Sequence, residues 1–296
     1  MELSVAWDLL ATGILRGGMY ALMAVGLALV LGVMKLYHFA HGEFYMLGAY
    51  TAYFTHVGLG LDPIPALLAG ALGGFAIGIL TDKVLLQILR KRSKAEWLNN
   101  AYLITVGLSF ILQNAALAIW TAKFRGITQY WEGAIPISPT MEVPADRMIA
   151  FLIAIVSIVT LWLLLRRTET GRAVRAVAQD ERGAMLMGIN RNGIYTLTFG
   201  ISGMLAAIAG ASLLSITPAH PTMGVQALNK SWLVVILVGF GNVGGSVVGG
   251  FIVGVLEAVS YYFLGGGWQD VVSLAAVVLI LLFKPSGLFG TEMREA

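Results

Sequence analysis

Long stretches of this chain lack charge, and the elements it predicts follow from where they fall. Residues 9–34 hold only Arg16, and residues 44–61, 63–81, 97–122, 148–165, 192–229, 231–256 and 271–283 hold no Asp, Glu, Lys or Arg. A helix crossing a hydrocarbon layer about 30 Å thick needs roughly 20 apolar residues, and most of these intervals approach or exceed that length. The 192–229 interval predicts one span at 194–216, then a turn around Pro218 and Pro221. The 231–264 stretch is too long for one plain span and too short for two, and Gly239, Gly241, Gly244 and Gly245 interrupt it. It predicts a half-helix or re-entrant piece followed by a full span. The expected fold is all-α, a polytopic integral membrane protein of about eight transmembrane segments with one glycine-broken or re-entrant segment. Residues 1–296 are expected to form a single transmembrane domain.

Composition supports this reading. The 296 residues are 58% hydrophobic and 12% charged, about half the charge a soluble domain carries, and the mean hydropathy is +0.81. An ordinary soluble enzyme and a disordered chain are both excluded. The net charge of +3 comes from a few basic loops rather than a basic face, which argues against a nucleic-acid partner. With no cysteine there is no disulfide, thiolate nucleophile or Cys-metal site, and the redox compartment stays open. Glu2 and Asp8 make the N-terminus acidic, and its apolar run is longer than the h-region of a cleavable signal.

Lys and Arg in short loops set orientation. Loop 83–94 carries Lys83, Arg90, Lys91, Arg92 and Lys94 with no acid, and loop 166–191 carries Arg166, Arg167, Arg172, Arg175, Arg182 and Arg191 against Glu169, Asp180 and Glu181. Both are expected in the cytoplasm. The balanced loop 122–147 and the 217–230 loop fall outside, with the N-terminus. Residues 35–43 fall inside, as does the C-terminus if 231–264 is two short spans. Small residues let helices approach closely in lipid. Gly70, Gly74 and Gly78 repeat at i, i+4 and i+8, as do Gly241, Gly245 and Gly249, with Gly250 and Gly254 beside them. These faces are assigned to helix packing.

Candidate chemistry is sparse. His38, His41 and Glu43 form a cluster just inside the membrane, and at i and i+3 the two imidazoles would share one side of a helix, but too few further ligands accompany them for a metal site. A hydrogen-bonded turn is the expected role. Gly224–Ser231 approaches a phosphate-binding loop, yet Asn229 replaces the second glycine and no strand precedes it, so no bound nucleotide is expected. No nucleophile elbow, His-Glu-x-x-His or paired intramembrane aspartates point to an enzyme. Glu257 is the deepest intramembrane charge, expected to pair structurally or face a path, while Arg16 and Asp270 are near enough to segment ends to snorkel. In segment 166–191, Thr170 is the expected N-cap, and Arg172, Arg175, Gln179 and Arg182 make a polar stripe along a short helix closed by Gly188. Val174, Val177, Ala178 and Ala184 give small apolar relief beside it. Such a helix suits either anionic lipid or a docking groove in another protein.

The segment Phe39–Tyr50 (F-A-H-G-E-F-Y-M-L-G-A-Y) resembles a motif of the branched-chain amino acid ABC importer permeases, the shorter H-type subunit. Gly18–Gly26 is similar to that family's first span, and Gly171–Asp180 with Ala184, Gly188 and Ile189 resembles its cytoplasmic coupling segment. Gly239–Glu257 resembles its glycine-rich late helix, and Lys284–Gly290 its C-terminal R-P-x-G-L-F-G. Departures are His38, where the family usually has Asn, the turn Gly-Phe-Gly-Asn-Val-Gly-Gly, and an unmatched 122–147 region.

The resemblance implies a multi-pass permease subunit of a bacterial or archaeal inner membrane. It would pair with a longer M-type permease or a second copy of itself, two ABC ATPase subunits, and a periplasmic or lipid-anchored binding protein. ATP and Mg would sit in the ATPases, with no cofactor bound to this chain. The ATPase-coupling residues it implies are Gly171, Arg172, Arg175, Ala178, Gln179, Asp180, Arg182, Ala184 and Gly188. Translocation-pathway candidates are His38, His41, Glu43, Gln113, Asn114 and Glu257. Cargo is expected to be branched-chain or other hydrophobic amino acids, with urea, short amides or small aromatic acids as the alternative. An ion-coupled secondary transporter is the competitor from another class, disfavoured because no internal repeat is visible and Glu257 is nearly the sole membrane carboxylate.

Overall fold

The computed structural model describes residues 3–92, 96–138 and 141–290; Glu2 and Lys94 of the reading above lie outside them. Among the described residues, seven helices are long and apolar enough to cross a membrane, and a shorter apolar helix, Met223–Val238, joins them. α1 (Leu3–Met34) runs through the middle of the molecule. Ala21, Leu22, Ala24, Val25, Leu27 and Ala28 are wholly buried there, so apolar side chains all round the helix meet protein on every side. α2 (His41–Tyr53) continues through a π turn to Gly58. It packs with α3 (Pro63–Thr81) and α9 (Arg191–Ser212) beside α1. α5 (Trp97–Trp120), α6 (Ala145–Arg167) and α12 (Gln269–Phe283) lie outside this core and leave most of their surface uncovered.

Two opposite faces organise the rest. A β hairpin of β1 (Ala134–Ser138) and β2 (Met141–Pro144) precedes α6 at one end. α7 (Glu169–Gln179) and α8 (Glu181–Leu186) follow it at the other. The 122–147 loop therefore contains regular structure, with residues 139–140 outside the described set, and α6 begins at Ala145. Asp146 ties the loop to α6 by accepting from the Tyr130 and Trp131 amides at 3.0 and 2.9 Å.

Two expected loops are helices instead. The basic stretch 83–94 continues α3 through a π turn, Asp82–Leu86, into α4 (Gln87–Arg92). Arg90 is neutralised where it lies, donating to both Asp82 carboxylate oxygens at 2.8 and 3.1 Å. The expected outer loop 217–230 ends at Thr222, and its second half opens α10 (Met223–Val238). Lys230 is tolerated in this helix because it pairs with Glu257 and Asp270.

The glycine-broken region is a short helix, a turn and a full span, α11 (Val243–Leu264). Gly239 carries the turn at φ 106°, a backbone conformation costly for any other residue. The C-terminal segment satisfies the carbonyls left open at the end of α10: Leu288 N donates to Leu237 O at 2.9 Å and Phe289 N to Val238 O at 2.8 Å. Gly241 lies in the turn, not on the helix, and packs on Gly32 of α1. Gly245 and Gly249 face Val238 and Val234, while Gly250 and Gly254 face α1 at Ala21, Gly13 and Gly17. Gly70, Gly74 and Gly78 lie against Ala211, Ala207 and Phe199 of α9.

Candidate coupling surface and polar interior

Local chemistry builds the α7–α8 surface. Thr168, not Thr170, caps α7, its hydroxyl accepting from Gly171 N at 2.9 Å. The expected single helix breaks at Asp180, whose carboxylate accepts from Arg182 N at 3.0 Å and starts α8. Arg182 therefore does not continue the stripe of Arg172, Arg175 and Gln179. All four are exposed, as is Asp180, and Ala178 is half-buried. Gly171, Val174, Val177 and Ala184 face inward and hold the two helices to the bundle. Gly188, at φ 81°, ends the surface.

Two residues that sequence reasoning missed stand at its tip: Leu186 and Met187, 89% and 83% exposed. Large apolar side chains this open, beside a row of arginines, make a surface with both charge and grip for a partner. The signal was the apolar run Met185–Met187, which loop polarity does not explain.

The surface is wired to the spans. Glu181 pairs with Arg191 and accepts from the Tyr195 hydroxyl at 2.9 Å, both on α9. Behind Tyr195, the Arg90 guanidinium lies 5.2 Å from its ring centre and 5.7 Å from that of Trp97. Thr196 donates to Asp82 at 2.6 Å. Polar contacts thus link α8 to α9, and α9 to the α3–α4 turn.

The six pathway candidates fall in three places. His38 precedes α2 instead of sharing its face, so the expected i, i+3 pairing on a helix is absent. Nor do the three residues lie at the inner rim: His38, His41 and Glu43 are buried in the core. The Met23 carbonyl accepts from His41 Nε2 at 3.1 Å, eleven residues before α1 ends, so the chain folds back and α2 starts deep in the bundle. Glu43 accepts from Ser109 at 3.0 Å, near the middle of α5. His38 packs among Phe44 and Phe199, and both its nitrogens lack a hydrogen-bond partner among the described residues. Those residues include no group of three His, Cys, Asp or Glu placed to hold a metal.

Gln113 and Asn114 instead border a cavity of about 310 Å³ on the hairpin face, with Phe124 and His220. Glu257 lies on a third side, wholly buried, accepting from the Tyr20 hydroxyl at 2.7 Å and paired with Lys230. Asp270 completes that network instead of standing alone, and Arg16 lies over the Tyr261 ring. Gly224–Ser231 lies inside α10, so its amides serve the helix and form no phosphate cradle.

The family described as "Branched-chain amino acid transport system / permease component" matches residues 9–281. The high-affinity branched-chain amino acid transport system permease protein BraD of Pseudomonas aeruginosa is 32% identical over 97% of this chain and 96% of its own length. The corresponding LivH protein of Salmonella typhimurium is 31% identical over 96% of this chain and 95% of its own. A probable LivH permease of the archaeon Methanocaldococcus jannaschii is 24% identical over 97% and 93%.

Proposed function

Because this chain belongs to the family of branched-chain amino acid transport permease components, we propose that it forms one membrane half of an ATP-driven importer carrying branched-chain or other hydrophobic amino acids. The observation that carries the reading is the full-length match together with the α7–α8 surface. The hairpin face is outside, with 122–147 and 217–222 receiving a binding protein. The α7–α8 face is cytoplasmic and seats in an ATPase groove. ATP and Mg are held by two ATPase subunits, and the second permease half is an M-type chain or another copy of this one. Closure of the ATPase dimer displaces α7 and α8, and Glu181 passes that motion to α9, so that the helices around His38, His41 and Glu43 open alternately to either side.

Affinity purification of the tagged chain from its own membranes tests this reading. Co-purification of Walker-motif ATPases supports it, and uptake by the chain alone down an ion gradient overturns it. Arg175→Glu with Ala178→Glu places two acids on the exposed side of α7 without touching Val174 or Val177. Recovery of ATPase is expected to fall about tenfold or more at unchanged expression; full recovery would remove α7 from the coupling role.

A further inference from the structure

The hairpin face holds a second cavity, of about 270 Å³, between α1, β2, the start of α6 and the end of α9. It lies just below the range of about 300–1,000 Å³ that holds drug-sized ligands, which suits a small metabolite. Its charges are unusual for a span-lined space. Arg16 of α1 and Arg147 of α6 supply two guanidiniums, Glu142 of β2 supplies one carboxylate, and none of the three forms an ion pair among the described residues. Leu15, Met19, Val143, Leu213 and Ile216 make the rest of the wall largely apolar.

An arginine within a spanning helix is costly unless a partner answers it, and Arg16 forms no ion pair among the described residues, lying 5.7 Å from the Tyr261 ring centre and near Tyr20. A guanidinium matches a carboxylate through two parallel hydrogen bonds. An acid on the same wall answers an ammonium, and the apolar surface between them answers an aliphatic side chain. We propose that this cavity is an entry site for a zwitterionic α-amino acid: Arg16 and Arg147 take the carboxylate, Glu142 the ammonium, and Leu213 with Ile216 the side chain. The proposal rests on the importer reading above and adds a site to it. Tyr20 also lines the cavity while its hydroxyl donates to Glu257, which Lys230 of α10 holds. Occupancy is thereby linked to α10 and α11.

The test uses the full chain in lipid nanodiscs and radiolabelled leucine, without a binding protein. Saturable binding is expected, weakened at least about tenfold in Arg16→Gln and in Glu142→Gln. Valine should displace the label, whereas 4-methylpentanoate, lacking the ammonium, and isoamylamine, lacking the carboxylate, should compete at least about tenfold less well. Glu142 is exposed on the hairpin, so its substitution keeps the test open if Arg16→Gln misfolds. Wild-type binding in the folded variants, or equal competition by all three compounds, overturns the site. Uptake by the assembled transporter with its binding protein separates the two readings. If it imports leucine, yet the chain shows no saturable binding and the variants take up leucine as wild type does, the entry site falls and the importer stands. If it imports neither a branched-chain nor any other hydrophobic amino acid, both fall.

Discussion

Gly210 shows how little room single positions have. A Cβ there would lie 2.0 Å from the Tyr45 carbonyl oxygen, a backbone atom of the neighbouring helix that cannot step aside. Gly107 on α5, by contrast, has nothing within 4 Å of that point. Gly210→Ala should therefore lower stability by about 1–3 kcal/mol or more, while Gly107→Ala should be neutral or slightly stabilising because alanine favours helix. Thermal midpoints in detergent compare the two, and equal midpoints would mean that α2 and α9 do not pack at contact distance. His220, on the hairpin face outside the spans, offers a pH test. Burial beside Phe124 lowers its pKa below the ordinary value of 6.5, so the unfolded chain takes up the proton first as pH falls. Its contribution is full above about pH 6.5 and declines as pH falls below that, until the folded histidine itself titrates. The thermal midpoint should drop between pH 7.5 and 5.5, and His220→Gln should remove part of that drop.

At the scale of elements, charges are where sequence and structure part. Counting Lys and Arg as loop markers located the 166–191 segment, because Arg166, Arg167, Arg172, Arg175 and Arg182 are exposed. The same rule placed Arg90 in a loop and ended the outer loop at Lys230, although both lie in helices. What the pattern cannot display is pairing: Asp82 is eight residues from Arg90, and Glu257 is twenty-seven from Lys230. A paired charge no longer needs water. The depth of His41 was equally hidden, since Lys35 marks the segment before it as an inner loop although the chain doubles back into the bundle there. The buried Asp82–Arg90 pair allows a quantitative check. Arg90→Ala leaves a wholly buried carboxylate with only the Thr196 hydroxyl among the described residues, and should destabilise the chain by about 3–5 kcal/mol. Adding Asp82→Ala should recover part of that loss, because no uncompensated charge then remains. A double variant less stable than Arg90→Ala alone would mean that Asp82 is held mainly by other groups.

Across the whole molecule, the direction of transport depends on which face meets the cytoplasm. The basic residues of α4, α7 and α8 gather at one end and the hairpin at the other, so the positive-inside rule gives a single expected orientation. The absence of cysteine makes the check direct, since any introduced thiol is the sole target in the chain. Glu132→Cys, exposed ahead of the hairpin, and Met187→Cys, at the exposed tip after α8, sit at opposite ends of α6 and change no buried contact. In intact spheroplasts a membrane-impermeant maleimide should label Cys at 132 several-fold faster than at 187, and permeabilisation should equalise the two. Slower labelling at 187 after permeabilisation, when ATPase subunits are co-expressed, would show the tip covered by its partner. The reverse pattern, with 187 labelled from outside, would leave α7 and α8 unable to meet a cytoplasmic ATPase. The coupling role would then fail on geometry alone, and with it the route by which Glu181 and α9 receive the power stroke.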